Sequence, residues 1–190
     1  MHRLGGSPWR ATEGASREVL VALYVRDALG IVDPSGLPRL LGTGLTPPRA
    51  APDAVVGWAW TRWWASIVEP GIEMPGPPEE ALDLWRSALR RHLDSARTYA
   101  AIAHDDHGIR SAERSMAGLD DLTLTELVAE REAERGSAAD FDLRIEVLPL
   151  TARGIWWIAE SAIAVDEELR EDLGSYRAAL RPIVERLVRD

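Results

Sequence analysis

From Phe141 to Val147 apolar and charged side chains alternate without a miss, Phe-Asp-Leu-Arg-Ile-Glu-Val. A period of two commits the chain to a β-sheet. Successive side chains of a strand point to opposite faces, so one face is expected to be buried and the other wet. After a turn at residues 151–154, Ile155-Trp156-Trp157-Ile158-Ala159 is apolar on both faces, the pattern of a central strand, and Ala162 to Val165 follows a Glu160-Ser161 turn. The three segments predict an antiparallel meander. Three strands need a cover for their apolar face, which helices upstream must supply. The fold class expected is therefore α+β: a mostly helical N-terminal two thirds packed with a C-terminal three-stranded antiparallel meander and terminal helices.

Those helices are marked by their ends. Ser16 and Gly30 bracket Arg17 to Leu29, a capping residue before and a helix stop after. Its apolar run Val19 to Val25 would also suit a buried strand; helix is preferred because the apolar character extends through Ala28 and Leu29. Asp53 caps a second segment reaching Val68 or Glu69, and the breakers Pro75-Gly76-Pro77-Pro78 separate it from a third. That third helix is predicted from Glu79 to about His104 or His107, with Gly108 as its stop, and a fourth from Thr123 or Thr125 to Glu134. Asp166 opens a short helix ended by Gly174, and Ser175 opens a last one containing Pro182. Residues 31–52, rich in Pro, Gly and Thr, read as a long loop. The domain expectation is a flexible arm, 1–14, and one globular domain, 15–190, divided into a helical part, 15–136, and a strand-rich part, 137–190.

What the chain lacks removes several chemistries. It contains no Cys, Lys, Asn or Gln, which excludes a thiol nucleophile, a thiolate zinc site, a Schiff-base lysine and the phosphate-loop lysine. No cofactor motif is present either, and none is expected. Charge is uneven: residues 1–110 carry 13 acids and 12 arginines, residues 111–190 carry 18 and 10, so that the net −9 resides almost wholly in the second half. An acidic half repels phosphate backbones and anionic lipid, so neither nucleic acid nor membrane is expected as a partner, and a protein partner would be basic. With no apolar run long enough to span a bilayer and no signal-like start, a cytoplasmic location is expected. A homo-oligomer stays open.

Candidate functional residues come from two sources. Eight tryptophans are present, four of them within Trp58-Ala59-Trp60-Thr61-Arg62-Trp63-Trp64. At ~100° per residue, Val56, Trp60, Trp63, Trp64 and Ile67 form one core-facing stripe, while Trp58 points away beside Arg62. Trp58, Arg62 and Trp9 on the arm are the expected partner contacts. The second source is histidine. His92 falls on the apolar stripe of the long helix with Trp85, Leu89 and Tyr99, either as a satisfied core residue or as a base. In His104-Asp105-Asp106-His107 two imidazoles at i, i+3 could share a metal, completed by Glu113 or His92, although the spacing matches no zinc signature.

Three functions are compatible with these residues. First is a non-catalytic interaction protein (adaptor, assembly or regulatory). Second is a hydrolase or lyase, metal-dependent or not, using His92 or His104 and His107 with nearby carboxylates. Third is a small-ligand binder with an aromatic pocket.

Overall fold

The computed structural model describes residues 2–4, 9–33, 35–46, 48, 52–71, 79–116 and 122–188, the side chains of 2–4 and 79–81 excepted. The fold class is α+β. Among the described residues the order is β1 (His2–Leu4), β2 (Arg10–Gly14), α1 (Arg17–Leu29), α2 (Ala54–Val68), α3 (Glu79–Met116), α4 (Thr123–Arg135), β3 (Asp142–Leu148), β4 (Ile155–Ala159), β5 (Ala162–Asp166), α5 (Glu167–Glu171) and α6 (Leu173–Leu187). The Pro75 to Pro78 breakers lie outside the described residues.

A mixed sheet of order β1-β2-β3-β5-β4 forms the middle layer. Its strands β2, β3 and β5 run parallel, and only the edge pairs β1·β2 and β4·β5 are antiparallel. The meander expected from sequence is thus corrected. β5 inserts between β3 and β4, so β4, expected at the centre, is an edge strand. The reason is burial: every residue of β5 is buried whereas β4 is mostly half-buried, and two-sided cover favours the central place. At the exposed edge the Arg186 guanidinium lies 4.3 Å from the centre of the Trp157 ring, which shields that ring from water. The expected arm is corrected as well. Arg10–Gly14 pairs with β3 from Arg10↔Asp142 to Gly14↔Glu146, and Trp9 is buried, stacked on Phe141 with ring centres 5.5 Å apart.

Helices cover both faces. On one side α1, α2 and α3 enclose Leu20, Leu23, Trp60, Trp64 and Ala100 against Leu148, Ala162 and Ala164. On the other, α4 and α6 enclose Leu127, Val128, Tyr176 and Leu180 against Leu143, Ile145, Val147 and Ile163. Both faces of β3 are therefore covered, although Asp142 at its start stays exposed. Its charged face, expected to be wet, lies under the first layer, and Glu146 is 1% exposed.

α1 and α2 have the predicted bounds. Gly30 adopts a φ of 67°, and a Cβ there would stand 2.4 Å from Pro48 Cγ, so the helix stop also lets the long loop pass close by. α3 differs, running through Gly108 to Met116. Gly108 is not among the positive-φ glycines, and helix-forming residues follow it, so its intrinsic cost of ~1 kcal/mol is outweighed by continuation. Ala96, Ala100 and Ala103 are buried with α1 in the first layer, small side chains that permit close approach. Beyond them Arg110 bonds Glu167 and Arg114 reaches Glu13 at 4.0 Å, which anchors the far end of α3 over the ends of the parallel strands. At the last helices, Asp172 caps α6 through Ser175 N, so Gly174 lies inside α6 and Ser175 in its first turn.

Candidate functional site

The extension of α3 past Gly108 closes a cavity of about 550 Å3 against the end of β2, the start of α1 and the middle of β3. It lies beside the carboxyl end of β2 and over the middle of β3, a concave surface of the kind that holds small molecules. The wall carries Glu13, Ser16, His104, His107, Ser111 and Glu146, and most of the rest is apolar.

Two carboxylates frame the cavity and both are committed to the protein. Glu13, on β2, receives Arg170 Nε on both oxygens at 3.0 Å, with Arg114 at 4.0 Å. Glu146, on β3, receives Ser16 N at 2.8 Å and the Ser16 hydroxyl. Arg144 Nε stands 3.5 Å from Glu146, while its terminal nitrogens donate to Ile67 O and Val68 O at 3.2 and 2.9 Å, satisfying the carboxyl end of α2. Ser16 thus serves Glu146 and makes no side-chain cap on α1.

The histidines differ. A carbonyl can only accept, so the 2.6 Å contact of His104 Nδ1 with Ala15 O fixes the proton on Nδ1 and leaves Nε2 as an acceptor when the ring is neutral. His107 is 8% exposed, and its ring makes no hydrogen bond among the described residues. Burial, aided by Arg114, Arg110, Arg170 and His104, pushes its pKa down to about 4, so at neutral pH the imidazole is uncharged, with one donor and one acceptor. One helical turn on, Ser111 also lines the cavity, and its hydroxyl likewise has no partner among the described residues.

The other expected residues lie elsewhere. His92 is half-buried, and burial, then Arg91, lowers its pKa; it is ~18 Å from His104 along the helix axis and is not part of the cavity wall that carries His104. Among the described residues no group of three histidine or acidic side chains is placed to hold a metal ion. His104 and His107 therefore have no third ligand in either candidate: Glu113 is exposed and His92 is remote. Trp9 is a core residue, in place of the surface contact expected. Trp58 is 37% exposed, whereas Trp60 is fully buried with Nε1 donating to Ala22 O at 2.8 Å. Arg62, with Trp63, Ser66, Leu82, Trp85 and Leu89, lines a second cavity of about 370 Å3 between α2 and α3. No helix among the described residues is long and apolar enough to cross a membrane.

Sequence reasoning reached His104 and His107 but missed Glu13, Ser16, Ser111, Arg144, Glu146 and Arg170. The available signal was the pair of charges inside the alternating strand, Arg144 and Glu146, which a two-sided cover forces to find partners. Compared with known proteins, the chain gives no significant match to any protein-family model, curated protein or solved structure.

Proposed function

We propose that the chain is a binding protein that takes a small molecule, without catalysis, in the cavity between α3 and the sheet. The observation that carries this reading is His107: a largely buried, uncharged imidazole on the cavity wall that makes no hydrogen bond among the described residues. Buried polar groups are satisfied as a rule, and one left open toward a cavity is satisfied by water or by a ligand. A hydrolase is less well supported. Efficient proton transfer favours a base with a pKa near the working pH, and about 4 makes His107 a weak acceptor. The carboxylates that would assist it, Glu13 and Glu146, are already engaged.

The test is a fragment screen by ligand-observed NMR on the native chain and on Ala112→Trp, which fills the cavity from an exposed wall position. Hits are expected on the native chain and lost on the variant. A screen without hits, or hits indifferent to Ala112→Trp, overturns the reading.

A second reading, an interaction protein with a basic partner, is favoured by one observation, the exposure of Trp58 beside the Arg62 cavity. Trp60→Ala is expected to lose ~3–5 kcal/mol of stability, and Trp58→Ala ~1 kcal/mol or less. Equal losses in urea titrations would make Trp58 part of the fold rather than a contact.

A further inference from the structure

We infer that the outer face of α3 pairs two copies of this chain, antiparallel, about a two-fold axis level with Ala100.

Among the described residues, four of the nine exposed large apolar side chains lie on this one helix: Leu84, Ile102 and Ile109 are between 53% and 59% exposed, and Met116 is 81% exposed. At ~100° per residue they fall within a sector of about 40°. That sector is turned away from Ala96, Ala100 and Ala103, which are buried with α1 in the first layer. Single exposed apolar side chains need no explanation, whereas a row aligned along one helix is a contact surface.

The row is flanked by three charges that the fold leaves unmatched. Asp83, Asp94, Asp105, Arg110 and Arg114 of α3 are each in an ion pair within the chain. Arg91, Asp106 and Glu113 are exposed and make none among the described residues; Arg90 is also unpaired but stands about 100° off the row. The cation lies in the first half of the row and the two acids in the second.

That order makes the face its own complement, as a two-fold interface requires. Leu84 and Met116 are equidistant from Ala100, as are Arg91 and Ile109, and Thr98 and Ile102. Antiparallel pairing sets Leu84 on Met116 of the second copy. It also lays the stem of Arg91 across Ile109, with the guanidinium between Asp106 and Glu113, which stand one helical turn before and after. Other arrangements fail on charge. Parallel copies would set Asp106 and Glu113 against themselves, and an axis at Ile109 would bring Glu113 onto Asp105 and leave Arg91 without a counterpart on α3. A uniformly basic partner would meet Arg91 with like charge.

Sedimentation equilibrium of the full chain from low to high micromolar protein tests this, and a monomer–dimer equilibrium is expected. Ile102→Glu, exposed and close to the axis, should weaken it more than about a hundredfold, and Arg91→Glu about tenfold, both with native circular dichroism. Adding Glu113→Arg to Arg91→Glu reverses the pair and should restore most of the loss. The chain has no Cys, so spin labels can be placed singly at Thr98→Cys and Ser87→Cys. Labels at 98 should lie close together across the axis and labels at 87 about 39 Å apart along it. A monomer at every concentration, or association indifferent to Ile102→Glu, removes α3 as the interface. A charge swap that restores nothing, or short distances at both labels, overturns the antiparallel pairing.

Discussion

Two clusters of buried polar side chains occupy the first layer, and they are finished differently. Around Arg26, 2% exposed, Nε donates to Asp27 at 2.9 Å, Nη1 to Leu37 O at 2.9 Å and to Asp33 at 3.4 Å, and Nη2 to Pro38 O at 2.6 Å. The second Asp27 oxygen receives Leu40 N at 2.7 Å. That fork ties the long loop onto α1, and each nitrogen of the Arg26 guanidinium has a partner. Around His107 the charged neighbours are in ion pairs, although Arg144 Nε is buried without a hydrogen bond, and the imidazole and the half-buried Ser111 hydroxyl are open. Burial alone therefore does not separate a structural polar cluster from a binding one. Saturation does, because an unmet buried polar group costs ~1–3 kcal/mol and persists where something outside the chain can meet it.

Removing a member of the closed cluster should produce the largest effect. Arg26→Met is expected to strand Asp27, Asp33 and two carbonyls and to lose ~3–5 kcal/mol in urea unfolding. A loss below ~1 kcal/mol would show that the closed cluster does not hold the loop. The open cluster should instead reveal itself through pH. His107 has a folded pKa of about 4 against 6.5 unfolded, so between those values the unfolded chain binds the proton first. Stability is consequently full above pH ~6.5 and falls as pH drops toward 4, by up to ~3 kcal/mol. His107→Gln should remove that component. Asp27 and Glu167, raised mainly by burial, act with the opposite sign, stability rising as they protonate, but they are common to both proteins. Unfolding free energies of native and variant at pH 7 and 4.5 isolate the difference, and parallel slopes would mean that His107 is as solvated folded as unfolded.

The helices around the closed cluster were legible in sequence, but of the two clusters only His104 and His107 were reached and the Arg26 fork was not. Gly30 and Asp53 punctuate the chain, so local rules placed α1 and the start of α2, and the alternation from Phe141 placed β3. Everything that builds the cavity is non-local. Ser16 meets Glu146 across 130 positions and Arg170 meets Glu13 across 157. A period of two tells which side chains share a face and is silent about what covers it, so the charged face of β3 was expected in water. It is silent about strand order too, and β5, which separates β3 from β4, left no mark beyond its uniform apolarity. Gly108 misled in the same way. A stop signal is a local cost, and the anchors that override it, Glu13 and Glu167, lie on other elements.

The smallest expected effect separates the clusters most finely. In α2 and α3, Thr61 and Thr98 return their hydroxyls to the carbonyls of Gly57 and Asp94 at 3.1 and 3.0 Å, and Ser66 to that of Trp63 at 2.7 Å. Ser111 does not, although the same bond is within reach of any helical serine. Its hydroxyl faces the cavity wall with no protein partner among the described residues. Alanine is the better helix former by roughly 0.5 kcal/mol, so Ser111→Ala should leave stability unchanged or raise it by about that amount while ligand affinity falls. Thermal unfolding and titration on one preparation measure both. A destabilisation above ~1 kcal/mol would give Ser111 a structural partner, and the contrast between a saturated cluster and an open one would disappear.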